Sequence, residues 1–188
     1  MRGGARSAAW VLAWLVLAAL ALAWPAHGHA ESVELSTFEV VRGEDGVMLS
    51  FTANFELSHS VEDALVRGVP LYFEATASLF QSRWYWRDRR IASVSRSWRL
   101  TYQPLTRSYR VSTGGLNQNF ETLAEALDSL RRSSRWKLAE PGQVEGDARH
   151  YVEFSFRLDT TLLPRPMQIG IGGEAAWSLS VERTQRLN

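Results

Sequence analysis

From Val47 to Leu57 every second residue is apolar. Val47, Leu49, Phe51, Ala53, Phe55 and Leu57 share one parity, while Met48, Ser50, Thr52, Asn54 and Glu56 hold the other. Side chains alternate across a strand and wind around a helix, so this spacing gives a one-sided apolar surface only as a half-covered strand. The period returns at Val152, Phe154, Phe156 and Leu158, and again at Trp177, Leu179 and Val181. A chain patterned in this way folds as sheets that each need one dry face covered.

The other segments fill in that frame. Gly43, Glu44, Asp45 and Gly46 supply a turn, which makes Val33–Leu57 a β-hairpin. In the run Val69–Trp86 the apolar residues sit at odd positions through Leu79 and at even ones from Trp84, which predicts a bulge or break near Gln81 and Ser82. Arg87–Arg90 then reverses the chain. Val94, Trp98, Leu100 and Tyr102 continue a strand, Gln103–Thr106 turns with Pro104 inside it, and Tyr109 and Val111 return. Ser60 is placed to cap a short helix over Val61–Arg67, stopped at Gly68. Thr122 and Glu125 have capping-box spacing ahead of the stripe Leu123, Leu127 and Leu130, with Arg131 and Arg132 at the negative end of the dipole. Pro141–Asp147 reads as a loop, and Leu163–Pro166 as an extended connector that proline keeps out of a central strand. Six to eight strands with one or two short helices predict a mainly β fold, a single antiparallel β-sandwich or open barrel. The alternative is an α+β layer with the 122–132 helix covering one sheet.

The first thirty residues differ in kind. Arg2 and Arg6 precede an unbroken run of Ala, Val, Leu and Trp from Ala8 to Trp24, closed by Pro25, and Gly28 and Ala30 offer small residues for a peptidase. This is the pattern of a signal peptide cut after Ala30, leaving one domain over 31–188; the alternative is a retained membrane anchor. Export sets the expected compartment as the bacterial periplasm, since twenty arginines beside the single Lys137 suggest a GC-rich genome. On that reading the membrane is touched only through an uncleaved leader.

Cysteine is absent, which excludes disulfides, thiolate metal sites and a cysteine nucleophile. The 21 basic and 20 acidic side chains nearly cancel, which argues against nucleic acid as a partner. There is no Gly-x-Ser-x-Gly elbow and no His-Glu-x-x-His helix, and the Gly170–Gly173 run lacks a basic residue placed to hold phosphate. No cofactor or metal is expected, and no catalytic residue is assigned.

Charge is nonetheless segregated. Residues 31–82 carry nine acids and two arginines, and residues 83–112 carry eight arginines and one acid, so the two blocks are net −7 and +7. The basic block also holds Trp84, Tyr85, Trp86, Trp98, Tyr102 and Tyr109. Arginine stacked on indole forms a pre-ordered fork for carboxylate or phosphate, which points to an anionic partner such as an envelope protein or another anionic envelope component. The expected binding residues are Arg83, Trp84, Trp86, Arg87, Asp88, Arg96, Trp98 and Arg99, with Pro164 and Pro166 as a polyproline docking segment. A purely structural account instead pairs the basic strands with the acidic ones and lays arginine stems over core tryptophans. A hydrolytic alternative would assemble from Asp88, Asp159 and His150, although arginines around Asp88 favour its charged form, the wrong direction for a general acid.

The ordered set Arg67-Gly-Val-Pro-Leu-Tyr-Phe73, Arg83-Trp-Tyr-Trp-Arg-Asp88, Leu105-Thr-Arg-Ser-Tyr-Arg110, Thr122-Leu-Ala-Glu-Ala-Leu127, Leu158-Asp-Thr-Thr-Leu-Leu-Pro-Arg-Pro166 and Trp177 resembles the proteobacterial domain of unknown function 4390 over nearly the whole of residues 31–188. The resemblance implies an exported or envelope protein of unassigned activity, with no catalytic residues to carry over. It also implies a link to membrane sensor kinases of the nitrogen-regulation type, beside which such proteins are often encoded.

Overall fold

The computed structural model describes residues 33–144, 148–163 and 177–187. The leader 1–30, Pro164, Pro166 and the Gly170–Gly173 run lie outside the described residues.

Two antiparallel sheets carry the fold, as the alternation requires. The smaller sheet has three strands: β1 (Glu34–Gly43), β2 (Gly46–Asn54) and β7 (Arg132–Ala139), in the order β1-β2-β7. The larger has six, β3 (Leu71–Gln81), β4 (Arg89–Gln103), β5 (Ser108–Thr113), β6 (Leu116–Phe120), β8 (His150–Leu158) and β9 (Ser180–Leu187), in the order β6-β5-β4-β3-β8-β9. The described strands form a mainly β, sandwich-like fold with two short helices and no closed barrel. No helix among the described residues is long and apolar enough to cross a membrane.

The odd parity of β2 and β3 and the even parity of β8 all point into one core. Leu49, Ala53, Leu71, Phe73, Ala75, Ala77, Leu79, Val152 and Phe156 are fully buried. Phe51 joins the layers, with its ring centroid 4.7 Å from Phe154 and 6.2 Å from Phe156 on the opposite sheet and 6.4 Å from Trp136 on its own. Phe55 stacks on Phe73 at 5.5 Å. Such tilted and stacked pairs add to area burial and fix how the sheets meet.

Two short helices lie between the strands in chain order. Helix α1 (His59–Val66) is capped by Ser58, whose hydroxyl accepts from the Val61 amide; Ser60, expected to be the cap, lies inside the first turn. The helix therefore starts two residues earlier than its charge pattern suggests, and Gly68 at φ 93° ends it. Helix α2 (Leu123–Arg131) has the full capping box, with Thr122 and Glu125 exchanging side-chain to backbone hydrogen bonds at 3.2 and 3.3 Å. It buries Ala126, Leu127 and Leu130. Arg132 is not in the last helical turn but opens β7.

Three further differences have local causes. The face switch expected near Gln81 and Ser82 is the end of β3, and Trp84 and Trp86 belong to no strand. The bulge lies nearby on the partner: Leu79 pairs with Ala92 and Phe80 with Arg90, so Ile91 is the extra residue. Arg89 and Arg90, expected in the reversal, are already paired in β4 with Gln81 and Phe80.

Candidate functional site

Strands β3 and β4 are central neighbours, and the loop joining them, Ser82–Asp88, lies at one end of the larger sheet. The core parity stops at Leu79, so no inward-facing position is left for the next aromatics. Trp84 is 94% exposed, Tyr85 69% and Trp86 73%. A ring exposed to that degree is not core, and three in succession form a contiguous apolar tip. Trp84 and Tyr85 meet edge to face at 4.9 Å, which gives the tip some order of its own.

Asp88 holds the base of the loop. One carboxylate oxygen accepts the Arg83 amide at 3.0 Å and the other accepts the Tyr151 hydroxyl at 2.8 Å. These hydrogen bonds, the Arg83 amide foremost, keep the Asp88 carboxyl below its ordinary value. Burial, then the hydrogen bond and charge of Asp88, pushes the Tyr151 hydroxyl up to about 12. At neutral pH the pair is therefore an anionic acceptor and a protonated donor, the state in which the bond is strongest. The Tyr151 ring stacks on Phe80 at 5.2 Å, and the Ser82 amide donates to the Arg149 carbonyl at 2.8 Å. The loop is thus tied to β8 on one side and to itself across Arg83 and Asp88.

The expected binding residues divide into three places. Arg83, Trp84, Trp86, Arg87 and Asp88 share the loop. Arg96 and Trp98 lie on the inner face of β4: Trp98 is buried, and the Arg96 guanidinium lies 5.1 Å from the Trp136 ring centroid and donates to Ser133 at 2.9 Å. That pair does match an arginine laid over a core tryptophan. Arg99 points to the outer face beside Tyr72, with about 33 Å of strand between it and Arg89. The loop, and not the whole basic block, is the coherent site.

Pairing between the two charge blocks is not how the molecule is built. Among the described residues, no carboxylate of residues 33–82 lies within 4.0 Å of an arginine of residues 83–112. Glu74 instead takes Arg157 of β8 at 2.6 Å, and Asp45 takes Arg135 of β7 at 3.1 Å. Arg87, Arg89 and Arg90 are exposed at the loop and its exit.

The candidate hydrolytic groups do not converge. Asp88 is bound to Tyr151 near the start of β8, whereas Asp159 follows its far end, about 26 Å along the chain. There Asp159 caps the turn Thr160–Leu162, accepting from the Thr161 amide at 3.0 Å and hydroxyl at 2.6 Å. His150 is buried beside the loop, and burial holds it below its ordinary pKa, helped by the charges of Arg42 and Arg89. Tyr85, Arg90 and the anchor Tyr151 belong with the site although sequence reasoning did not select them. Tyr85 lay between two selected tryptophans; Tyr151 is 63 residues from Asp88, and only the β3–β8 register brings them together.

Neither the curated proteins nor the solved structures gave a match to this chain. Residues 30–187 match the domain of unknown function DUF4390, which spans both sheets and the aromatic loop, and the chain belongs to that family.

Proposed function

We propose that the protein is an exported binding or accessory protein that captures an anionic partner with the β3–β4 loop. The observation that carries the reading is the exposed Trp84-Tyr85-Trp86 tip flanked by arginines that have no carboxylate partner among the described residues. Arginine beside aromatic surface gives contact area and a planar donor fork together, and Asp88 with Tyr151 orders the loop before contact. Export is supported by the leader pattern Arg2–Ala30, and a link to a membrane sensor kinase system by the family resemblance alone.

The test is crosslinking in cells from a photoreactive residue at position 85, compared with the same chain carrying Arg87→Glu and Arg90→Glu. The native loop is expected to yield a specific partner that the reversed chain loses, while the melting temperature stays unchanged. A native chain that crosslinks to neither protein nor lipid, or a reversal that leaves crosslinking intact, refutes the reading.

A further inference from the structure

We infer that the partner is the surface of an anionic phospholipid bilayer, with Trp84, Tyr85 and Trp86 seated among the headgroups and Arg83, Arg87, Arg89 and Arg90 against the phosphates. The inference rests on the anionic-partner reading above and names its chemical class. It also places membrane contact on the folded body, where the sequence pattern assigned it only to an uncleaved leader.

Shape selects the bilayer over an acidic polypeptide. A specific peptide site encloses its anchors in walled, desolvated pockets, because binding energy concentrates where water is excluded. Here the anchors belong to this protein and protrude: a Trp84 ring 94% exposed has no wall around it. Three grooves lined by described residues lie elsewhere. One lies across Thr76, Ser155 and Thr184, one beside Tyr72 and Arg99, and one beside Glu39 and Arg135. A protrusion needs a soft medium to enter, and the interfacial layer of a bilayer is such a medium.

Residue chemistry agrees with shape. Indole and phenol pair an apolar ring with one polar group, and they concentrate where hydrocarbon meets water. Guanidinium binds phosphate through parallel N–H bonds, and each cation close to an anionic leaflet adds to the attraction within a Debye length. The only acid in the loop is Asp88, and its two carboxylate oxygens already accept the Arg83 amide and the Tyr151 hydroxyl. The tip therefore meets the membrane with rings and cations.

The absence of cysteine supplies the experiment. Tyr85→Cys in the full chain gives a single site for an environment-sensitive fluorophore. Leu105→Cys gives a control in the turn after β4, a strand of 15 residues that spans about 50 Å. With vesicles of equal phosphatidylcholine and phosphatidylglycerol, the label at position 85 is expected to shift to the blue while the label at position 105 stays in water. Phosphatidylcholine vesicles should leave both unchanged. Adding Arg87→Glu and Arg90→Glu should weaken the response by about tenfold or more, since each reversal exchanges an attraction for a repulsion. A label at Trp84→Cys repeats the measurement in case the first site perturbs the loop.

Equal shifts at 85 and 105 would mean that the leader or the whole body adsorbs, which overturns the inference. No shift on anionic vesicles overturns it as well. If polyglutamate then shifts the label through the same arginines, the anionic-partner reading survives with an acidic polypeptide as the partner. If polyglutamate is silent too, and crosslinking finds no partner, both readings fall.

Discussion

Two aromatic truncations separate core from site by magnitude. Phe51 is 1% exposed, and its ring lies between Phe154, Phe156 and Trp136. Phe51→Ala loses the transfer energy of the ring and leaves a cavity between two sheets that cannot both move inward, a cost of about 3–5 kcal/mol. At about 2–4 °C per kcal/mol for a chain of this size, the melting temperature should fall by about 6–20 °C. Trp84 is chemically larger but 94% exposed. Folding removes about 15 Å² of its roughly 250 Å² from water, which at about 25 cal/mol per Å² is about 0.4 kcal/mol, an upper bound. Truncating the larger ring should thus cost about a tenth as much as truncating the smaller one. Urea titration followed by far-ultraviolet circular dichroism measures both on one scale. A Trp84→Ala cost above about 2 kcal/mol would show that the ring packs against the body, and the freely presented tip would be refuted. A Phe51→Ala cost below about 1 kcal/mol would refute the shared aromatic core instead.

Two further outcomes follow from single contacts. Gly46 has φ +104°, and a Cβ built on it would lie 2.1 Å from the Ala139 carbonyl oxygen, so Gly46→Ala should combine backbone strain with a forced shift of β7 and cost about 1–3 kcal/mol in the same titration. The Asp88–Tyr151 bond should make loop order depend on pH at both extremes, read as fluorescence anisotropy of the label at position 85. Asp88 is depressed by folding, so its contribution is complete above its unfolded pKa and is lost as pH falls through the folded value, below the ordinary carboxylate range. Tyr151 is raised, so its contribution is complete below its unfolded pKa near 10 and is lost as pH rises through about 12. Tyr151→Phe should loosen the loop at neutral pH and move the acid transition toward the ordinary carboxylate value; an acid transition that stays in place would show that Tyr151 does not hold Asp88.

Legibility in the sequence followed how regularly each element is exposed to one environment. Strands β2, β3 and β8 each have one dry face, and their alternation is unbroken from Val47 to Ala53, from Leu71 to Leu79 and from Val152 to Leu158. Strand β7 carries Ser133, Trp136 and Leu138 inward at spacings of three and two, because its pairing with β2 shifts register twice and Arg135 takes φ 48°. A period-two reading misses such a strand. Strand β6 is an exposed edge with no dry face, so Leu116–Phe120 has no pattern to detect; its one signal was the Gly114-Gly115 turn, where both residues take positive φ. The site divided in the same way. Its composition was visible at Arg83–Asp88, but the separation of Arg99 and the arrival of Tyr151 depend on strand register, which sets contacts across dozens of residues.

The charge segregation takes on a different meaning once register is known. Blocks of net −7 and +7 suggest mutual neutralisation, since opposite charges on neighbouring strands attract. The paired positions do not use that option. Opposite the acidic Glu74 of β3 stands Ser97 on one side and Arg157 on the other, and the inward arginine of β4, Arg96, stands opposite Ala75. Tyr72 and Phe80, not acids, stand opposite Arg99 and Arg90. An exposed ion pair would have contributed little to stability, about 0–1 kcal/mol, so the fold loses almost nothing by leaving these guanidinium groups uncompensated. A surface cation left without a counter-charge keeps its full attraction for an external anion, because no internal bond must break first. Around the β3–β4 loop that condition coincides with three outward rings, which is why the binding reading is anchored there and not on the basic block at large.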